Sequence, residues 1–470
     1  MQIRRFCLVL LCTVSALTVS CAKKSSTGAS SSSSTTSSSS QWGIAQVGQA
    51  VNAVTTDSAG DVIAVGWASS AANSSVSQTG TQDMFVVLYN SLYGSDFAAW
   101  AYQLGAKSAV TIANAVAVDS QGYIYVVGTT TGQIGDDLEA VSSQDVFVTK
   151  LKSLGTAVQA VWTKQFGDGG GAPSTAWGVA IDSGGNVLVG GETNGILENS
   201  PASVPNANDP DYVKGFLIKF DSDGNLLWSN GLGSSSNNTV GVSGGNTKVF
   251  GLSTDSSGNS YVVGVKQGDL LGSSAQANMD GFIAKYDSSG TPTWVKSLGT
   301  APPWGTTLNG GTVDSAGNFI AVGFTLDDLD GSGHPLGGYA CLVAKYDSEG
   351  NQQWIHQLSG ASGSAPCQQV TTDASNNIYI IGSTKTGLDG QTLTGTEDMF
   401  MATYSAAGTL EGVTQLGVAG ATTQGQSIVM DPNHTRLYCS GLSTGELLGY
   451  ALSGTQEGFI VEYDTSGNLK

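Results

Sequence analysis

An aspartate closes a short apolar segment seven times along this chain, at Asp57, Asp119, Asp182, Asp255, Asp314, Asp373 and Asp431, at intervals of 62, 63, 73, 59, 59 and 58 residues. A period of that length restricts the chain to repeating architectures, in which each unit buries its apolar face against its neighbours. Each unit reads as a short strand ending in Asp, a tight turn and a second strand ending in Gly. A variable loop, a third strand, another tight turn and an outer strand carrying Trp follow. Segments such as Asp145-Val146-Phe147-Val148-Thr149-Lys150-Leu151 alternate with the period of two that marks a strand. Seven units of four strands predict an all-β fold, a seven-bladed β-propeller with four antiparallel strands per blade, over residues 41–470.

Local chemistry agrees with this reading. The chain has 65 Gly and only 12 % charged residues, the mark of many short strands joined by turns, and no helical apolar period outside its first twenty residues. In Asp255-Ser256-Ser257-Gly258-Asn259 the carboxylate can accept bonds from the following backbone N–H groups, and Gly258 takes the left-handed conformation at little steric cost. Asp119–Gly122 and Asp314–Gly317 follow the same rule, and Asn376 stands in for the Gly in the sixth unit. The seventh turn, Asp431-Pro432-Asn433-His434-Thr435, is one residue longer and must differ.

Outer strands carry Trp100, Trp162, Trp228, Trp294 and Trp354, with Gly412 at that place in the sixth unit. After the seventh third strand the chain runs only to Lys470, whereas Gln41-Trp42-Gly43-Ile44-Ala45-Gln46-Val47-Gly48 reads as an outer strand with no blade before it. The N-terminal strand is therefore expected to close the ring as the outer strand of the last blade. It would pair with residues near Gly458–Asp464 and place Trp42 where other blades hold Trp100 or Trp294.

With Val116-Ala117-Val118-Asp119, Tyr125-Val126-Val127-Gly128 and Gly281-Phe282-Ile283-Ala284-Lys285-Tyr286-Asp287 in view, the mature chain resembles the bacterial seven-bladed β-propeller repeat (SBBP-type) proteins. The resemblance implies the fold and is nearly silent on function, since propellers host many activities. A second likeness, in Phe220-Asp221-Ser222-Asp223-Gly224-Asn225-Leu226-Leu227-Trp228, is to quinoprotein-type repeats, a family that includes propeller lipoproteins acting as outer-membrane assembly scaffolds.

Residues 1–20 read as an export signal: Arg4 and Arg5, an apolar run from Phe6 to Leu17, then small residues. The run is too short to span a membrane. Leu17-Thr18-Val19-Ser20-Cys21 resembles a bacterial lipobox, departing from it at Thr18, and implies that Cys21 is acylated and becomes the N-terminus. Cleavage after Ala22 is the alternative, since Ser20 and Ala22 also fit a small-x-small site and would leave a soluble product. Residues 21–40, rich in Ser and Thr, would form a flexible tether, giving an exported monomer held in the bacterial envelope at the outer membrane, with exposure at the cell surface as one arrangement. The formal charge is −19, and loss of Arg4 and Arg5 leaves 16 basic against 37 acidic residues, or −21, with Arg436 the last arginine; nucleic acid is a poor partner for such a chain.

Cys7 and Cys12 leave with the signal, so Cys341, Cys367 and Cys439 remain beside the acylated Cys21. Cys341 and Cys367 fall at strand ends on one face of neighbouring blades and are predicted to pair as a disulfide in an oxidising compartment; Cys439, inside a second strand, is expected to be a buried free thiol. No CxxC spacing and only three His argue against structural zinc.

All the long loops join second to third strands or blade to blade, and so share one face; the opposite face is trimmed by tight turns. Loop-borne function is expected on the variable face. Its candidate ligand contacts are Trp67, Trp177 and Trp304, which lie outside the repeat register, and Asp327, Asp328 and Asp330. Large aromatics commonly lid the core between blades instead. No resident cofactor is expected. Calcium at Asp328 and Asp330 is the one metal the pattern suggests, against the commoner reading of a solvated acidic loop. His334, His356 and His434 map to different places, and no nucleophile motif occurs, so no catalytic residue is nominated. The leading expectation is a non-catalytic lipoprotein that binds a protein or glycan partner through its variable face. A glycan-cleaving hydrolase or lyase using paired carboxylates, and a quinoprotein-like assembly scaffold, are the alternatives.

Overall fold

The computed structural model describes residues 42–43, 50–71, 76–90, 98–135, 143–167, 171–195, 197, 213–233, 245–274, 279–299, 305–331, 338–360, 363–449, 452 and 455–470. Seven four-stranded antiparallel sheets make a seven-bladed propeller. Blade one comprises β2 (Ala50–Thr56), β3 (Val62–Ala68), β4 (Asp83–Tyr89) and β5 (Ala98–Leu104), counted from the axis outward. Blade two holds β6 (Thr111–Val118) to β9 (Val158–Phe166), and blade three β10 (Ser174–Ile181) to β13 (Leu226–Leu232). Blade four holds β14 (Thr247–Thr254) to β17 (Pro292–Leu298), and blade five β18 (Thr306–Val313) to β21 (Gln352–Leu358). Blade six runs from β22 (Cys367–Thr372) to β25 (Leu410–Leu416). Blade seven contains β26 (Thr423–Met430), β27 (Arg436–Ser443) and β28 (Glu457–Asp464), with β1 (Trp42–Gly43) beside β28.

Each core lies between blades: the second and third strands of one blade pack on the strands of the next, as Ile63, Val65, Met84 and Val86 do on Ala113, Ile124 and Val126. Blade seven meets blade one in the same way, Tyr438 and Ile460 against Val51 and Val54. One position shows how the sequence fits the blades together. The second residue of the third strand meets the inner strand of a neighbour, and the pairs are matched in size. Met84 packs in one cluster with Ala113, and Val146 in another with Ala176. Gly215 faces Val249, Gly281 faces Leu308, Gly425 faces Met399, and Gly458 faces Val51. At each of these contacts a large side chain faces a small one, which fills the gap without strain. Between blades five and six the pair is Cys341 and Cys367, joined in a disulfide with their Cα atoms 4.9 Å apart. Cys439 is buried and unpaired, its thiol pushed up by burial.

The turn face repeats one device. Asp119 Oδ1 accepts from the N–H groups of Gln121 and Tyr123, both at 2.9 Å, and the same pattern recurs at Asp182, Asp221, Asp255, Asp287, Asp314, Asp347 and Asp373. Asn376 takes a φ of 63°, as its place requires. In the longer seventh turn Asp431 reaches Thr435 and Arg436 N–H instead, and His434 holds the positive φ. Outer-strand tryptophans then tie blades two, three and four each to the next. Trp162, Trp228 and Trp294 donate Nε1–H to the carbonyls of Ser222, Ser288 and Ser348 in the following blade's turn. Lys150, Lys219 and Lys285 add Nζ bonds to the same three carbonyls.

The N-terminal strand needs a correction. Trp42 stands opposite Ile460 and Gly43 opposite Phe459. In blades one to five the outer Trp faces the residue equivalent to Glu462, as Trp294 faces Lys285 and Trp228 faces Lys219. The observed pairing is thus two residues away from the expected register. A slip of two keeps every side chain on the same face, so the apolar pattern does not forbid it. In blades one to six a hairpin turn pins the register, whereas Trp42–Gly43 reaches β28 from the far end of the chain with no turn between them. The rest of Gln41–Gly48 and the Trp42 side chain lie outside the described residues, as do the signal, Cys21 and the tether.

Candidate functional site

All seven inner strands break register at the same place. The shifts fall between Val51 and Ala53, Ala113 and Ala115, Ala176 and Gly178, Val249 and Gly251, Leu308 and Gly310, Cys367 and Gln369, and Gly425 and Ser427. Each is a β-bulge, an extra residue that bends the strand and re-aims a side chain. The bulge residues are Asn52, Asn114, Trp177, Phe250, Asn309, Gln368 and Gln426, each five positions before the turn aspartate of its unit. The Gly expected to end every second strand lies two residues before its end, and has its cause here. A Cβ on Gly66, Gly128, Gly191 or Gly264 would sit 1.8–1.9 Å from the carbonyl oxygen two residues before the bulge, so no larger residue fits.

The seven bulge residues line an axial cavity of about 540 Å³, with the inner-strand residues that follow them. The inner strands enter from the variable face, so this ring lies towards that end of the channel. Three of its members stitch blade to blade. Asn52 Nδ2 donates to the Ala113 carbonyl at 2.9 Å, Asn114 Nδ2 to the Ala176 carbonyl at 2.8 Å, and Asn309 Nδ2 to the Cys367 carbonyl at 2.8 Å. In each case the acceptor is the residue just before the neighbour's bulge, where the ladder shifts register and a side-chain amide supplies a donor.

Blades three and four depart from this arrangement. Trp177 is 37 % exposed and meets Phe250 edge to face, ring centroids 6.2 Å apart. Its Nε1–H donates to Glu192 Oε1 at 3.3 Å, and Glu192 Oε2 is held 2.7 Å from Lys248 Nζ. The indole is therefore oriented by its neighbours while one surface stays open to solvent. None of the described residues lining the cavity is ionisable. The lining supplies stacking surface and amide hydrogen bonds, and no group able to move a proton near neutral pH.

The predicted contact residues separate. Trp177 lies in the channel ring. Trp67 pairs with Ala50 and Met84, in the column that Glu192 occupies in blade three, beside the ring and not in it. Trp304 lies outside the described residues. Asp327 is buried, with Thr306 Oγ1 at 3.4 Å and its carbonyl accepting from Gln357 Nε2. Asp330 Oδ2 accepts from the Gln357 N–H at 2.8 Å, and Asp328 is exposed. Two of these acids serve the loop of their own blade. Among the described residues no group of three His, Cys, Asp or Glu side chains is placed to hold a metal ion, so Asp327, Asp328 and Asp330 do not converge as such a group.

Elsewhere on the variable face acids have the same structural task. Asp83 accepts from the N–H groups of Thr79 and Gly80, and Asp398 from those of Thr394 and Gly395. Outer-strand glutamines brace the same loops: Gln165 Oε1 accepts from Ile134 N–H, Gln357 Oε1 from Leu329 N–H, and Gln415 Oε1 from Leu388 N–H. The bulge ring was missed from sequence, yet it left a signal: aligning the units on their aspartates shows a column of amide and aromatic residues five places upstream.

The SBBP β-propeller repeat family matches residues 99–136, 161–198 and 353–389. Each matched segment starts in the outer strand of one blade and ends after the second strand of the next, so the repeat in sequence straddles the blade in space. No curated protein matches the sequence. Among solved structures, a Bacteroides caccae protein of unknown function is 10 % identical, with 73 % of this chain and 91 % of that chain covered and a TM-score of 0.34. A chain of the mitotic checkpoint complex is 11 % identical, with 96 % and 99 % covered and a TM-score of 0.47. Chaetomium thermophilum Raptor is 9 % identical, with 90 % and 29 % covered and a TM-score of 0.48. Likenesses this distant carry no argument about activity or partner. What the matches and the sheet topology together establish is that this chain carries SBBP β-propeller repeats within a seven-bladed propeller.

Proposed function

We propose that this protein is a non-catalytic binding lipoprotein of the bacterial envelope, tethered through Cys21, which engages a protein or glycan partner where its axial channel meets the variable face. The observation that carries the reading is Trp177. In a ring otherwise built of amides and Phe250, it presents an oriented, partly open indole. Exposed aromatics held rigid by their neighbours are the usual anchors of binding sites, since little entropy is lost on contact. The lack of ionisable side chains in the described lining supports the non-catalytic part.

Capture from envelope extracts on immobilised full-length protein tests the reading. A partner retained by the wild type and lost with Trp177→Ala, while a turn-face variant such as Ser289→Lys keeps it, is the expected result. Capture indifferent to Trp177→Ala would overturn it. Fatty-acid labelling tests the anchor: label should enter the wild type and not Cys21→Ala, and a mature N-terminus at Lys23 would refute lipidation.

A further inference from the structure

We infer that the ligand of the axial channel is a neutral saccharide, seated with a sugar ring against Trp177 and its hydroxyls among the amides of the bulge ring; this deepens the binding reading above and rests on it. Three features of the site converge on that chemistry.

The first is the paired character of the ring. Aromatic surface is confined to Trp177 and Phe250, and the remaining bulge residues are all amides. A pyranose has the matching division, C–H groups with slight positive charge on its faces and hydroxyls around its edge. The C–H face suits the negative face of an indole, and the hydroxyls suit amides. A peptide side chain that was only apolar would leave amides unpaired on the far side of the channel, and buried polar groups left without partners are costly.

Charge is the second feature. The described lining has no ionisable residue, and the two charged groups beside Trp177, Glu192 and Lys248, neutralise each other at 2.7 Å. With a formal charge of −19 on the chain, a uronate, a phosphate or a nucleic acid would meet repulsion and find no cation in the lining to offset it.

Donor and acceptor balance is the third. Asn52, Asn114 and Asn309 direct their Nδ2 donors to the next blade, so their Oδ1 atoms face the task of accepting. Gln368 Oε1 accepts from Asn309 Nδ2 at 3.2 Å, which leaves the Gln368 amide as a donor. The ring thus offers donors and acceptors side by side, the set a hydroxyl uses, since each hydroxyl can give one hydrogen bond and take two. A volume of about 540 Å³ lies within the range of small-ligand sites and accommodates a short oligosaccharide end.

The test is a titration of detergent-solubilised full-length protein with neutral tetrasaccharides (maltotetraose, cellotetraose, mannotetraose, xylotetraose) and with tetragalacturonate, followed by calorimetry and indole fluorescence. At least one neutral sugar should bind saturably and perturb the fluorescence. Trp177→Ala should weaken it by about 30-fold, with an unchanged melting temperature. Trp177→Phe should restore most of the affinity, and Trp67→Ala should leave it intact. No saturable binding of a neutral sugar, a preference for tetragalacturonate, or affinity indifferent to Trp177→Ala would each overturn the saccharide inference. If neutral sugars fail while envelope capture still depends on Trp177, the inference falls and the binding reading stands; if capture also ignores Trp177, both fall.

Discussion

The turn face and the channel ring of this propeller are built on opposite rules. On the turn face an aspartate recurs because the turn needs it: Asp182 accepts from Gly184 N–H, Asn186 N–H, the Asn186 side chain and Lys219, and its neighbours on the ring repeat most of that pattern. At the channel ring, residues at one register position vary from Asn to Gln, Phe and Trp. Repetition marks positions set by backbone geometry, and variation marks a position whose geometry is supplied by the bulge, leaving the side chain free to differ. Substitutions on the turn face should therefore cost stability, and substitutions in the ring should cost binding.

The largest expected effect concerns closure. We propose that Gln41–Gly48 completes blade seven. Its deletion should lower the melting temperature markedly and cause aggregation through the bared edge of β28. Deleting Ser25–Ser40 should leave the melting temperature unchanged. If the two deletions behave alike in thermal melts, the closure is wrong.

Asp182→Ala comes next. It strands Lys219, whose side chain is 3 % exposed, and should cost about 3–5 kcal/mol in denaturant unfolding. Asp287→Ala, in an exposed turn, should cost far less. Equal losses would break the distinction between buried and exposed copies of the same turn.

Removing the Cys341–Cys367 bridge by paired Ser substitution should cost about 3 kcal/mol, because the bridge spans 26 residues and the site is buried. Cys341→Gly with Cys367→Leu, which copies the Gly281–Leu308 contact of the neighbouring interface, should recover part of that loss. No recovery would show that the size-matched pairs are not interchangeable.

Acid should act on the turn face. Burial alone would raise the Asp182 and Asp314 carboxyls, but Asn186 with Lys219, and Asn318 with Lys345, outweigh it and hold both below 3.8. A depressed carboxyl contributes stability that is complete above its unfolded value and is lost as pH falls through its folded one. The melting temperature should therefore drop below about pH 4. The double variant Asp314→Asn with Lys345→Met should show a shallower drop, and an identical acid limb would count against this assignment. Smallest of all, Trp177→Ala should change stability by less than about 1 kcal/mol, since the ring is partly exposed, while removing the binding described above.

Blade count, strand order and turn chemistry were legible in the sequence because they depend on local rules: a period of two in each strand, Asp and Gly at each turn, and a repeat that fixes how many units exist. Pairing of Cys341 with Cys367 was legible for the same reason, since both positions follow from the repeat register. Tertiary structure alone decided that Asp327 and Asp330 serve their own loop, and that Trp177 enters the channel while Trp67 stands beside it. It also decided that Trp42 faces Ile460. A bulge is a mismatch between two strands, and a register without a hairpin is a choice between partners far apart in the chain. Neither is written in one segment: the side chains that meet on the axis come from seven units that know one another only once the ring has formed.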